Sequence, residues 1–102
     1  MIDKKKFYIN GEWIDAKGKE SIKVIDPSTE KSCAEISLGS KDDVNNAVIA
    51  AKKAYESWGF SSKEERIKLL ENLYVLYKKR WADIASAITM EMGAPKDFAT
   101  KL

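Results

Sequence analysis

Cys33 is the one side chain of this 102-residue sequence equipped to be a strong nucleophile. A thiol attacks through its thiolate, which forms only beside a base, a cation or a helix N-terminus. Glu30 and Glu35 flank Cys33 instead, so it reads as a structural residue. The chain has no histidine, which excludes Ser/His/Asp and Cys/His catalysis and leaves no set of ligands for zinc. Asp42, Asp43, Glu64 and Glu65 fall where helices begin, and there a carboxylate complements the positive end of the backbone dipole. Capping explains them better than acid–base work. Trp13, Trp58, Trp81, Tyr74 and Tyr77 could stack a ligand, but aromatic residues spaced this way more often form core or interface.

A dinucleotide site would need glycines clustered between a strand and a helix, so that pyrophosphate can approach the helix N-terminus. The five glycines, Gly11, Gly18, Gly39, Gly59 and Gly93, stand apart. With 18 basic and 16 acidic residues the net charge is +2, too small a field to recruit nucleic acid. Lys4-Lys5-Lys6 reads as a solvated tail. A lone cysteine suits a reducing compartment. No apolar run is long enough for a bilayer, and none follows Met1–Lys6 as a secretion signal would require. A cytoplasmic protein with neither nucleic-acid nor membrane partner is expected.

The elements that would position these residues fall into two halves. Residues 7–38 read as strands. Phe7, Tyr8 and Ile9 lead into Asn10-Gly11, a pair that tolerates positive φ and suits a two-residue hairpin turn, and Trp13-Ile14 resume the strand. Ile22, Val24 and Ile25 form a second apolar run ending at Asp26-Pro27. After Ser28-Thr29-Glu30, Ala34, Ile36 and Leu38 alternate with polar residues, which predicts a second hairpin.

From Ser40 the period changes to that of a helix. Ser40 with Asp43 has capping-box spacing, and Val44, Ala47, Val48, Ala51, Tyr55 and Trp58 form one face, with Gly59 as its stop. Ser62 and Glu65 repeat the cap. Behind them Ile67, Leu70, Tyr74, Tyr77, Trp81, Ile84 and Ile88 make a stripe reaching about Met92, long enough that a break near residues 79–82 is expected. Gly93 and Pro95 end it, and Pro95 fits the first turn of a further helix over residues 96–99. Strands first and helices afterwards predict α+β packing, with antiparallel hairpins followed by two to four packed helices.

Five segments, read in order, resemble the aldehyde dehydrogenase superfamily. They are Tyr8-Ile9-Asn10-Gly11-Glu12-Trp13; Val24-Ile25-Asp26-Pro27-Ser28-Thr29; Ala47 through Ala50-Ala51 and Ala54-Tyr55 to Trp58; Glu65-Arg66 with Leu70; and Glu91-Met92-Gly93-Ala94-Pro95. The resemblance runs from Phe7 to Pro95. It departs at Gly93-Ala94-Pro95, where many members have Gly-Lys-Pro.

The resemblance implies an NAD- or NADP-dependent oxidation of an aldehyde to an acid, or to an acyl thioester in some branches. A cysteine attacks and a glutamate activates water, and in the family both come well beyond position 102. Neither Cys33 nor any glutamate here matches their motifs, so no catalytic or cofactor-binding residue carries over. Residues 1–102 are then one partial domain, the N-terminal part of the α/β cofactor domain, with a strand arm over 7–38 and helices over 40–102. One site transfers: in many members a monovalent cation is held by backbone carbonyls at positions matching Val24 and Ile25 and by a carboxylate matching Glu91, together with a later residue.

The leading expectation is therefore an N-terminal scaffold segment of an aldehyde dehydrogenase that binds no cofactor alone, has the rest of that chain as its partner and assembles as a dimer or higher oligomer. Two alternatives stand beside it. One is a stand-alone, non-catalytic oligomerising module. The other is a redox or ligand-binding protein working through Cys33 and the tryptophans.

Overall fold

In the computed structural model, which describes residues 1–101, five strands precede four helices. The strands are β1 (Ile2–Lys4), β2 (Lys6–Ile9), β3 (Glu12–Asp15), β4 (Ser21–Asp26) and β5 (Lys31–Ser37). The helices are α1 (Lys41–Trp58), α2 (Lys63–Lys79), α3 (Trp81–Met92) and α4 (Lys96–Lys101). This is the α+β order expected from the sequence. Among the described residues no helix is long and apolar enough to cross a membrane.

Two compact units can be distinguished. The first comprises Met1–Val24 and Ser32–Phe60. Its first hairpin follows directly from local chemistry: Asn10 and Gly11 adopt φ of 56° and 79°, the left-handed pair that matches the twist of a tight β-turn. The register that results sets Phe7 against Ile14 and Tyr8 against Trp13, and the Tyr8 and Trp13 rings stand 5.2 Å apart. A separate sheet has the order β1-β5-β4.

β1 corrects the reading of the N-terminus as a solvated tail. Ile2, Asp3 and Lys4 pair in parallel with Ala34, Glu35 and Ile36. Lys5 Nζ lies 3.4 Å from Glu35, and Lys6 opens β2. The lysine side chains are exposed, yet their backbone is ordered by strand pairing.

α1 starts as its sequence dictates. The Ser40 hydroxyl accepts from the Asp43 amide, while the Asp43 carboxylate accepts from the Ser40 amide at 2.8 Å. That carboxylate also accepts from the amides of Lys17 at 2.7 Å and Gly18 at 3.1 Å. Asp43 is buried, and these donors, the Lys17 amide foremost, hold its carboxyl well below the usual 3.8. Gly18 has to be glycine for steric reasons, because a β-carbon there would sit 2.9 Å from the Leu38 carbonyl oxygen. Gly59 closes α1 in a right-handed helical conformation, φ −60°, rather than the left-handed cap that glycine permits.

The second unit comprises Ile25–Lys31 and the residues from Ser61 onward. α2 opens with its own capping box, Ser62 with Glu65. The helical run breaks at Arg80, φ −104° and ψ 10°, inside the interval expected from its length. α3 ends at Gly93 in the left-handed conformation. Pro95 stands just ahead of α4, and its carbonyl accepts from Ala99 at 2.9 Å. The core here is small: Ala85, Ala94 and Ala99 are buried, with Ile88 packed against them. The Trp81 indole N–H donates to the Thr100 carbonyl at 2.7 Å, tying α3 to α4.

The expected apolar faces exist but are not covered. Trp13, Trp58, Tyr74 and Tyr77 are exposed, which removes the core half of their reading as core or interface and leaves interface. α2 carries more apolar surface than the Ile67–Leu70–Tyr74–Tyr77 stripe, since Leu69, Leu73 and Leu76 recur at helical spacing on a second face and are exposed as well. A helix apolar on so much of its circumference is shaped for burial on more than one side.

Candidate functional site

The second unit brings together two segments far apart in sequence, the β4 end with its turn and the α3–α4 corner. The turn is built around Asp26. Its carboxylate accepts from the Ser28 hydroxyl at 2.6 Å and the Ser28 amide at 2.8 Å, and its carbonyl accepts from Thr29 and Glu30. The Ser28 hydroxyl, then the Ser28 amide, hold the Asp26 carboxyl below its usual value. Pro27 fixes its own φ within this turn, and Glu30 adopts φ 57° to complete it.

At the corner, the Gly93 amide donates to the Thr89 carbonyl at 2.9 Å, with φ 73° and ψ 15°. A β-carbon built on Gly93 would stand 2.9 Å from Cγ of Pro27. The proline ring therefore rests on the bare backbone of Gly93. The turn after β4 touches the α3–α4 corner at this point.

Of the residues transferred by resemblance, Ile25 is exposed in β4 and Glu91 is exposed in the last turn of α3. Val24 is half-buried in β4, and its carbonyl accepts from the Cys33 thiol at 3.4 Å. Among the described residues no three His, Cys, Asp or Glu side chains gather as a metal cluster. The donors named by the resemblance are backbone carbonyls and a single carboxylate, all oxygen, a donor type that suits a hard cation.

The residues present do not fit a dinucleotide. In the first unit the chain passes from strand to helix at Gly39-Ser40, where the Ser40 and Asp43 amides are engaged by α1's own cap. Asp42 and Asp43 in that first turn would repel an anion. Cys33 lies in β5 with its thiol spent on a carbonyl. Glu64 and Glu65 begin α2, with Glu65 completing its cap. None of these groups converges on a reaction centre.

Sequence spacing revealed the caps but not the Pro27–Gly93 approach, for which the only hint was a proline and a glycine in two separate family-like segments. It also missed the Lys17 and Gly18 amides as partners of Asp43.

Comparison with known proteins gives one consistent result. The model of the aldehyde dehydrogenase family matches residues 13–101. A 3-succinoylsemialdehyde-pyridine dehydrogenase of a Pseudomonas species is 44% identical over 95 residues, covering 93% of this chain and 20% of that protein. The crystal structure of an aldehyde dehydrogenase from Bartonella henselae superposes with a TM-score of 0.97 at 50% identity, over 99% of this chain and 21% of that one. A mutant of aldehyde dehydrogenase C from Pseudomonas syringae, complexed with NAD+ and octanal, superposes with a TM-score of 0.93 at 37% identity, over 96% of this chain and 20% of that one. The chain thus spans about one fifth of the length of the relatives it matches.

Proposed function

The chain belongs to the aldehyde dehydrogenase family, and from that membership we propose that it is the N-terminal scaffold segment of an NAD- or NADP-dependent enzyme oxidising an aldehyde to a carboxylic acid. Residues 1–102 are then part of one cofactor-binding domain whose nucleotide contacts and catalytic groups lie on later residues. The observation that carries this reading is the near-complete match of this chain to one fifth of its relatives, combined with helices whose apolar faces are exposed. The NAD+ complex of the Pseudomonas syringae neighbour supports the cofactor class.

On this reading the segment binds no dinucleotide alone. It contributes the Val24 and Ile25 carbonyls and the Glu91 carboxylate to a monovalent cation site, and its partners are the remainder of the chain and further copies in a cytoplasmic homo-oligomer. The test compares the 102-residue polypeptide with the intact protein. The intact protein reduces NAD+ or NADP+ in the presence of an aldehyde, and the polypeptide neither does so nor binds either dinucleotide by calorimetry. Turnover by the polypeptide alone would overturn the assignment.

The exposed faces of α1 and α2 also favour a second reading, a non-catalytic module that associates with itself through them. An intact protein without dehydrogenase activity, but with a defined oligomeric state by light scattering, would replace the first reading with this one.

A further inference from the structure

We propose that Asn10-Gly11 is a site of spontaneous covalent modification, at which the Gly11 backbone nitrogen displaces the Asn10 side-chain amide and turns the hairpin tip into isoaspartate. The proposal stands apart from the enzymatic reading above, since it needs only the turn and water. The sequence holds four asparagines, Asn10, Asn45, Asn46 and Asn72, and the fold sets one of them apart. Asn45 and Asn46 lie inside α1 and Asn72 inside α2. There the amide that follows each asparagine is donated to a carbonyl one helical turn back, and the residue bearing it has a side chain. Asn10 instead is exposed at the tip between β2 and β3. Among the described residues no hydrogen bond occupies the Gly11 amide, and even a β-carbon built on Gly11 would meet nothing within 4 Å. The attacking nitrogen is therefore unhindered and has no competing acceptor.

The step balances without a cofactor. The Gly11 nitrogen bonds to Cγ of Asn10, and the side-chain NH2 leaves as ammonia with the proton that Gly11 gives up, closing a cyclic imide. Water then opens the imide. Attack at the backbone carbonyl leaves isoaspartate, with the chain running through the former side chain, and attack at Cγ leaves aspartate. Isoaspartate adds a carbon to the backbone path of a turn whose two residues hold φ of 56° and 79°, a geometry with no slack for an extra atom. That turn closes the ladder at Ile9 and Glu12 and shares a shallow cleft with Ala47, Ala50, Ala51 and Ala54 of α1. Modification therefore lengthens the hairpin tip and sets a carboxylate beside an apolar strip of helix.

The experiment ages the intact protein at body temperature in neutral and in mildly alkaline buffer and follows each asparagine by peptide mass spectrometry, with isoaspartyl methyltransferase labelling to count isoaspartate. Asn10 loses its amide about tenfold or more faster than Asn45, Asn46 and Asn72, whose helices must open locally before they can react. The rate rises with pH, because the attacking nitrogen must shed its proton, and isoaspartate accumulates alongside aspartate. The thermal midpoint of the aged parent falls, while aged Asn10→Gly, which keeps positive φ but has no amide to lose, holds the midpoint it had when fresh. Amide loss at Asn10 no faster than at the helical asparagines would overturn the site. Aspartate without isoaspartate would overturn the imide route, and equal ageing of the parent and Asn10→Gly would show that the modification leaves the hairpin intact, against the proposal.

Discussion

The amide of Lys17 donates to the Asp43 carboxylate at 2.7 Å across 26 residues of chain. One side chain therefore caps α1 and staples the β3–β4 connection to it. Because these donors lower the carboxyl's affinity for protons, the folded state prefers the ionised form. The resulting stabilisation is complete at neutral pH and begins to fade as pH falls through about 4, where the unfolded chain takes up its proton. Asp43→Asn in the intact protein should lower the thermal midpoint at pH 7, and its deficit relative to the parent should shrink between about pH 5 and pH 3. Asp26 and Glu35 are also held low, so the difference between the two proteins is the informative quantity. A deficit constant across that range would contradict the ionic role of Asp43.

Ser62→Ala removes the side-chain acceptor for the Glu65 amide at the start of α2. The expected loss is about 1 kcal/mol, typical of a serine cap, measured by urea unfolding of the intact protein. Ser62→Asp should keep most of that stability, since its carboxylate can accept the same amide.

Gly11 and Gly93 share a positive φ but differ in surroundings. Nothing lies within 4 Å of a β-carbon on Gly11, whereas the Pro27 ring lies close to one on Gly93. Gly11→Ala should therefore cost about 1 kcal/mol from backbone strain alone. Gly93→Ala should cost more, and combining it with Pro27→Ala should recover the excess. Simple additivity of the two substitutions would show that the contact contributes nothing.

Leu73 lies on the second apolar face of α2. Leu73→Glu should make the 102-residue polypeptide less associated by light scattering. In the intact protein the same change should cost about 3 kcal/mol or more, as expected when a covered leucine is lost and a charge replaces it. An intact protein indifferent to the change would mean that this face stays in water.

What could be read from the sequence depended on how far apart the partners lie. Both capping boxes close within three residues, and the Asn10-Gly11 turn carries its own φ preference, so each followed from spacing alone. The break at Arg80 was anticipated from helix length without any glycine or proline to mark it. β1 was invisible because its partner strand lies some thirty residues on and its own residues, Ile2-Asp3-Lys4, show no strand pattern. The second face of α2 was missed because the first stripe already satisfied helical periodicity. Of the candidate site, the three transferred residues came from family likeness, while the Pro27–Gly93 approach is a tertiary contact with no periodic signature.

A helix greasy around so much of its girth belongs in the middle of a sandwich. For anyone dividing this polypeptide for expression or for split-reporter use, a cut after α4 lays both slices of α2 open at once. A cut before Ser62 would keep that helix with the residues that follow it and release only the strand arm and α1.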